Sequence, residues 1–219
     1  MRKFIHYYRI EFFLITLLLI LFGSLIFPIK MFDSYIFPLF FLLNIGTGIN
    51  LISKKYSRYL LIALFTIGAG IFLFSLSKEE NNSSIEYGKF VIYFLFYVIT
   101  TYEIIIQIWY GKEVNKDLLI GVISGYITLG LVGFFIFMAI EMSAPGSFGG
   151  ELLQGKHFKQ NIDSLLYYSY ITLTTIGYGE ITPLTAIAQK SAILLGLMGQ
   201  FYIVIVTAIV VGKFNTKIR

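Results

Sequence analysis

The segment Thr172-Leu173-Thr174-Thr175-Ile176-Gly177-Tyr178-Gly179-Glu180 is short, polar and rich in glycine, and it lies between two long apolar runs. Irregular chain at membrane depth survives only where protein or a water-filled path surrounds it, because its peptide groups find no partners in hydrocarbon. Asp163 or Ser164 is placed to cap a helix of about three turns that ends near Thr174. Such a helix is too short to span, so it and the glycine-rich chain after it read as one re-entrant element. Gly177 and Gly179 have access to backbone angles closed to other residues, which allows Thr175 to Gly179 to turn successive carbonyl oxygens toward one axis. A ring of such oxygens replaces water around a cation.

The setting is a membrane protein. Of 219 residues, 57% are hydrophobic, 18% aromatic and 13% charged, more apolar than a soluble core requires. With no cysteine, disulfides and thiolate metal sites are excluded. The excess of five positive charges is no argument for a nucleic-acid partner, since basic residues mark the cytoplasmic side of a membrane protein. No nucleic acid, cofactor or enzymatic chemistry is expected.

Six apolar runs are long enough to cross. The first, Phe12 to Phe27, follows Arg2, Lys3 and Arg9 and the interfacial Tyr7 and Tyr8; without a small-x-small pattern before Pro28 it reads as a retained helix rather than a signal peptide. The second, Tyr35 to Ile52, is interrupted by Asn44, Gly46, Thr47, Gly48 and Asn50. Small residues there admit a neighbouring helix and both asparagines are expected to face protein; an ion or ligand path is the functional alternative. The third runs from Tyr59 to Leu76, before a polar turn at Asn81, Asn82 and Ser83. The fourth, Phe90 to Tyr110, holds Glu103 and Gln107 on one face. A buried acid is costly, so Glu103 is expected to point into the bundle, toward a partner such as Asn44, Asn50 or a tyrosine hydroxyl, or to sit protonated, with proton coupling or cation binding as the functional alternative. The fifth, Leu118 to Met142, is followed by Ser143 to Asn161, which reads as an irregular external loop. The sixth begins near Pro183, well placed for a first turn, and continues to Val211.

Charge orients these runs. With the N-terminus inside, the cytoplasmic segments hold Arg2, Lys3, Arg9, Lys54, Lys55, Arg58, Lys112, Lys116, Lys213, Lys217 and Arg219. The external ones hold Lys30, Lys78, Lys89, Lys156 and Lys159. Eleven against five, with Lys190 left inside the outer end of run six, predicts six crossings with both termini cytoplasmic, in a multi-pass protein of the cell membrane, and the re-entrant element on the outer side.

The sequence Thr175-Ile176-Gly177-Tyr178-Gly179, after two threonines and a short helix and before Thr182-Pro183, resembles the selectivity filter of the potassium-channel pore family. The resemblance covers about Ile120 to Phe214 and is close from Leu165 through Pro183; the whole is similar to the bacterial six-span, single-pore-loop members. It implies an all-α membrane protein of six transmembrane helices plus a re-entrant pore helix and filter. The implied domains are a four-helix domain over 1–110, of voltage-sensor-like topology but without gating charges, and a pore domain over 111–219. One loop supplies a quarter of a ring, so the implied partners are three copies of the same chain in a homotetramer, with membrane lipids around them and any regulatory partner left open.

By the same resemblance, the carbonyls of Thr175, Ile176, Gly177 and Tyr178 form four oxygen layers for K+, the Thr175 hydroxyl closes the inner end, and Gly179 completes the turn. Tyr167 and Tyr168 take the family's aromatic positions, where they are expected to brace Tyr178, and Thr174 and Glu180 flank the filter. Glu180 stands where the family usually has aspartate, and Ile171 where some members place a carboxylate. Gly196 and Gly199 match the inner-helix hinge, and Ile203, Thr207 and Val211, recurring every four residues below it, are the candidates for cavity and gate lining. The function implied is passive, potassium-selective conduction with K+ as permeant ion. Run four has no arginine or lysine within the membrane, which predicts voltage insensitivity. A secondary transporter with broken helices, or a non-conducting membrane subunit, is the alternative.

Overall fold

The computed structural model describes residues 8–28, 31–32, 36–52, 54–77, 83–111, 114–153 and 161–218. Arg2, Lys3, Tyr7, Lys30, Lys78, Asn81, Asn82, Lys112, Lys156, Lys159 and Arg219, used above to orient the chain and place its turns, lie outside them. In chain order the elements are α1 (Arg9–Phe22), α2 (Phe37–Ile49), α3 (Lys55–Ser77), α4 (Ser83–Tyr110), α5 (Lys116–Ser143), β1 (Phe148–Gly150), α6 (Ile162–Leu173), β2 (Ile181–Pro183) and α7 (Ala186–Ile218). They divide into two compact units, Met1–Gly125 and Tyr126–Arg219.

Among the described residues four segments are long and apolar enough to cross a membrane: Lys55–Phe74, Tyr87–Tyr110, Lys116–Ser143 and Ala186–Lys213. The first two expected crossings are shorter as helices. α1 has 14 residues and α2 has 13, a rise of about 20 Å each against a hydrocarbon layer of about 30 Å. Their ends have local causes. A 3-10 turn over Gly23–Leu25 replaces the α-helix just ahead of Pro28, and α2 starts with Pro38 in its first turn and stops at Asn50.

In the first unit α1 packs on α2, α2 on α3, and α3 on α4. A side chain larger than hydrogen is not accommodated at Gly48, where a Cβ would come within 2.8 Å of the Phe96 ring and 3.3 Å of Phe13. Beside this contact Phe41 stacks on Tyr93 with ring centroids 4.8 Å apart. The fully buried Asn44 joins three helices here. Its amide donates to the Phe13 carbonyl at 3.2 Å and to Thr16 Oγ1 at 2.8 Å, and its oxygen accepts from the Tyr97 hydroxyl at 3.0 Å. Asn44 thus acts in helix packing.

Two expectations need correction. Asn50 does not face protein: α2 ends at Ile49, so Asn50 sits beyond the last turn, exposed, where its carbonyl accepts from the Arg9 guanidinium at 3.2 Å. Glu103, only 3% exposed, meets neither asparagine nor a tyrosine. Its carboxylate accepts from Ser57 Oγ at 2.8 Å and faces the Lys54 ammonium at 3.7 Å. The cause is position, because Glu103 lies near the end of α4 and its partners lie at the start of α3. Gln107, one turn on, donates to the Leu51 carbonyl at 3.1 Å.

In the second unit, glycines on α5 receive side chains from the other helices. A Cβ at Gly130 would collide with the Tyr170 ring of α6, and one at Gly133 with Leu195 of α7. The Tyr170 hydroxyl goes on to donate to the Ile127 carbonyl at 2.7 Å. The chain after α5, expected to be irregular, is partly ordered as β1, which pairs antiparallel with β2 in the register Phe148–Pro183, Gly149–Thr182 and Gly150–Ile181. Pro183 therefore closes a strand and does not open the helix. α7 starts three residues later, and Thr185 Oγ1 accepts from the Ala188 amide at 3.3 Å.

The Asn44 bonds give a direct test. Asn44→Leu leaves the Tyr97 hydroxyl and the Phe13 and Thr16 groups without their buried partner and is expected to cost about 2 to 3 kcal/mol, whereas Asn50→Ala changes stability by less than about 0.5 kcal/mol. Thermal unfolding of the purified protein in detergent measures both.

Candidate functional site

α6 is a twelve-residue helix with Asn161 in the N-cap position and no side-chain cap bond there. Asp163 and Ser164, expected to cap it, lie inside the first turn: the Asp163 charge favours the positive end of the helix dipole, and the Ser164 hydroxyl donates to the Leu152 carbonyl at 2.7 Å.

The opposite end of α6 sets the backbone that follows. A helix leaves its last carbonyls without intrahelical donors, and here the chain turns its own amides back to fill them. Thr174 N–H reaches the Tyr170 carbonyl at 2.9 Å, Thr175 N–H the Thr172 carbonyl at 3.0 Å, and Ile176 and Gly177 N–H share the Ile171 carbonyl at 2.8 and 3.2 Å. Thr174 also back-bonds through Oγ1 to Tyr170 at 2.7 Å. With these donors committed to the helix, the Leu173 carbonyl accepts from the Tyr126 hydroxyl at 3.3 Å, and the carbonyls of Thr174, Thr175 and Ile176 are left for another partner.

Dihedral angles alternate along this chain. Thr175, Gly177 and Gly179 take φ of 60°, 56° and 96°, and Thr175 is the one non-glycine with positive φ among the described residues. Left-handed residues interleaved with ordinary negative φ at Ile176 and Tyr178 rotate successive peptides the same way, and a β-branched residue in the left-handed region is strained by about 1 to 3 kcal/mol. Thr174 to Gly179 are exposed in the single chain, with Tyr178 at 74%.

The N-terminal end of this stretch lies against α7. At Gly199 the helix approaches so closely that a Cβ would collide with the Leu173 carbonyl oxygen, while at Gly196 it would stand 3.8 Å from the Thr172 carbonyl. α7 runs without a break through both glycines, so what they supply in this conformation is close approach. Ile203, Thr207 and Val211 are exposed along one face. Gln200, one turn above Ile203, was not singled out from the sequence; its Nε2 donates to Thr175 Oγ1 at 3.4 Å.

The other end is tied to α5. Tyr168 packs against Phe137 and Phe148, with centroids 5.1 and 5.6 Å apart, which directs it toward α5 and β1 rather than toward Tyr178 of its own chain. Tyr167 faces Glu180 instead; the carboxylate beside it pushes the phenol up to about 12, so the hydroxyl stays protonated and donates. Gly150 of β1 lies where a Cβ would collide with the Glu180 carbonyl. Glu141, also missed in the sequence, holds this ribbon in place. It is buried at the end of α5 and accepts from the amides of Gly146 at 2.8 Å and Phe148 at 3.2 Å, and the Ser147 carbonyl between them accepts from Leu184 at 2.8 Å. The sequence signal was an acid within the apolar run Leu118 to Met142. Among the described residues no group of three or more His, Cys, Asp or Glu is placed to hold a metal ion.

Residues 121–216 match a family model described as "Ion channel". Mouse and human "Potassium voltage-gated channel subfamily A member 5" are each 30% identical over 88 residues, 40% of this chain and 14% of theirs. Human "Potassium voltage-gated channel subfamily A member 4" is 26% identical over 87 residues, 40% of this chain and 13% of that protein. The chain thus spans about a seventh of the length of these relatives. No solved structure matches it significantly.

Because Glu141 serves one buried and one part-buried amide at once, Glu141→Ala is expected to destabilise the protein by about 2 to 3 kcal/mol, and Glu141→Gln, which keeps one strong acceptor, by roughly half as much. Chemical or thermal unfolding of the purified variants checks the order.

Proposed function

We propose that this chain, whose residues 121–216 belong to the potassium-channel pore family, is a potassium-selective channel that conducts K+ passively across a cell membrane. The single observation that carries the reading is the alternation of handedness at Thr175, Gly177 and Gly179 with the amides of Thr174 to Gly177 turned back onto α6. It frees one run of carbonyls for a dehydrated cation, which needs several weak, equivalent oxygen sites in file to pass. α6 is the pore helix of this reading, and its partly negative C-terminal end favours a cation below the filter.

The strong exposure of Thr174 to Gly179 fits a surface completed by other copies. The assembly is a homotetramer, each chain supplying a quarter of the ring. The topology is six-crossing, both termini are cytoplasmic, and lipid surrounds the apolar helices. K+ is the permeant ion; no cofactor or catalytic step enters. Ile203, Thr207 and Val211 line the cavity, with Gly196 and Gly199 above them as the hinge of the inner helix.

The outcome expected in planar bilayers is a reversal potential that tracks K+ and Rb+ and ignores Na+ under bi-ionic conditions. Equal permeability to Na+ and K+ removes the selective reading, and proton-coupled uphill transport in liposomes replaces it with a carrier. Gly177→Ala, which adds a Cβ at φ 56°, is expected to cut K+ flux by at least about tenfold.

Voltage gives a separate test. Moving one charge through the membrane field is worth about 2.3 kcal/mol per 100 mV, and α4 carries one basic residue, Lys89, near its start, while Glu103 has the opposite sign. Open probability is expected to vary little between −100 and +100 mV (about e-fold or less); a conductance curve with several gating charges per chain contradicts this.

A further inference from the structure

The Thr175 side chain is the part of the proposed filter whose placement is least determined by its own backbone. Its left-handed φ is one that a β-branched residue avoids, and it has no neighbouring helix turn to lock its rotamer. Gln200 supplies the missing constraint. Gly199 brings α7 against the Leu173 carbonyl, so the next residue starts within reach of the filter's inner end, and its carboxamide bonds Thr175 Oγ1 at 3.4 Å. From Ser191 to Val211 the exposed side chains of α7 are apolar except for Gln200 and Thr207, seven residues apart and so on one face with Ile203. A glutamine on such a face is costly to desolvate unless its amide is used.

We propose that Gln200 is a positioning residue for the innermost cation site: its amide donates to Thr175 Oγ1, fixes that side chain, and thereby sets how tightly a cation of K+ size is held where the filter meets the cavity. The inference rests on the channel reading and deepens it. One lone pair of Oγ1 is occupied by the Gln200 N–H, the hydroxyl oxygen is held in place, and its other lone pair is directed by that geometry rather than by free rotation about Cα–Cβ.

Ba2+, a divalent ion of K+ size, approaching from the side of the α7 C-terminus reports on this site. Gln200→Met keeps the length and helix preference of the side chain and removes the donor. The expected result is a five- to tenfold weaker Ba2+ block from that side, with the preference for K+ over Na+ retained. In a Thr175→Ala background, which lacks the hydroxyl, adding Gln200→Met changes Ba2+ affinity by less than about twofold, because interacting residues are non-additive. Equilibrium Ba2+ titration of the purified protein against K+ gives the same comparison for any variant that does not conduct. Unchanged Ba2+ affinity in Gln200→Met, or an equal loss in both backgrounds, overturns the proposal. A wild-type chain without K+-selective flux overturns the channel reading and this inference together, whereas a selective wild type with an indifferent Gln200→Met overturns the inference alone.

Discussion

The hydrogen bonds that close the C-terminal end of α6 are what the site depends on. A helix end needs donors for its last carbonyls, and the four residues after α6 give theirs, with Ile171 accepting two of them. Once those amides point back into the helix, the handedness at Thr175 and Gly177 follows from the need to continue the chain away from it. The strain at Thr175 is thus balanced by bonds that satisfy the helix. Loss of the ends of α6 and distortion of the stretch beyond it are therefore the same event.

At the far end of the stretch, beyond Gly179, the constraint is different in kind. There the chain is fastened by a ribbon of three residue pairs, and the ribbon is fastened to α5 by one carboxylate. An acid at the end of a helix faces an unfavourable dipole, and Glu141 offsets this by accepting from the amides of Gly146 and Phe148 in the turn. The first unit solves its polar problem in the same manner, with Asn44 bonding three helices at one point. In both units a single buried polar side chain joins several segments, and apolar packing fills the space around it.

Much of this was legible in the sequence. The long helices α3, α4, α5 and α7 follow from apolar length, and the positive φ at Gly177 and Gly179 from the residue type itself. Thr175 was not legible, since threonine argues against the conformation it takes and only tertiary bonds impose it. Pro183 was read as a helix start because a proline without an N–H suits a first turn; it suits the end of a short edge strand equally, and the pairing partner lies thirty-odd residues away in chain that looked irregular. Asn44 and Asn50 looked alike in composition, but α2 stops between them. Glu141 and Gln200 belong to no motif. Each is one polar residue inside an apolar run, and what it bonds is decided by a neighbour distant in sequence.

The two glycine notches on α5 have a further meaning as a gauge. Gly130 admits Tyr170 from α6 and Gly133 admits Leu195 from α7, and three residues of helix set the notches about 4.5 Å apart along the axis. Leu129, Leu131, Val132 and Phe134 stand on either side, so a slip of α6 or α7 by one residue, about 1.5 Å, drives a ring or a branched side chain into occupied volume. The axial register of α6 against α7, and with it the reach from Gln200 to Thr175, is accordingly recorded in two absent methyl groups on a helix that contributes nothing to the backbone from Thr175 to Gly179.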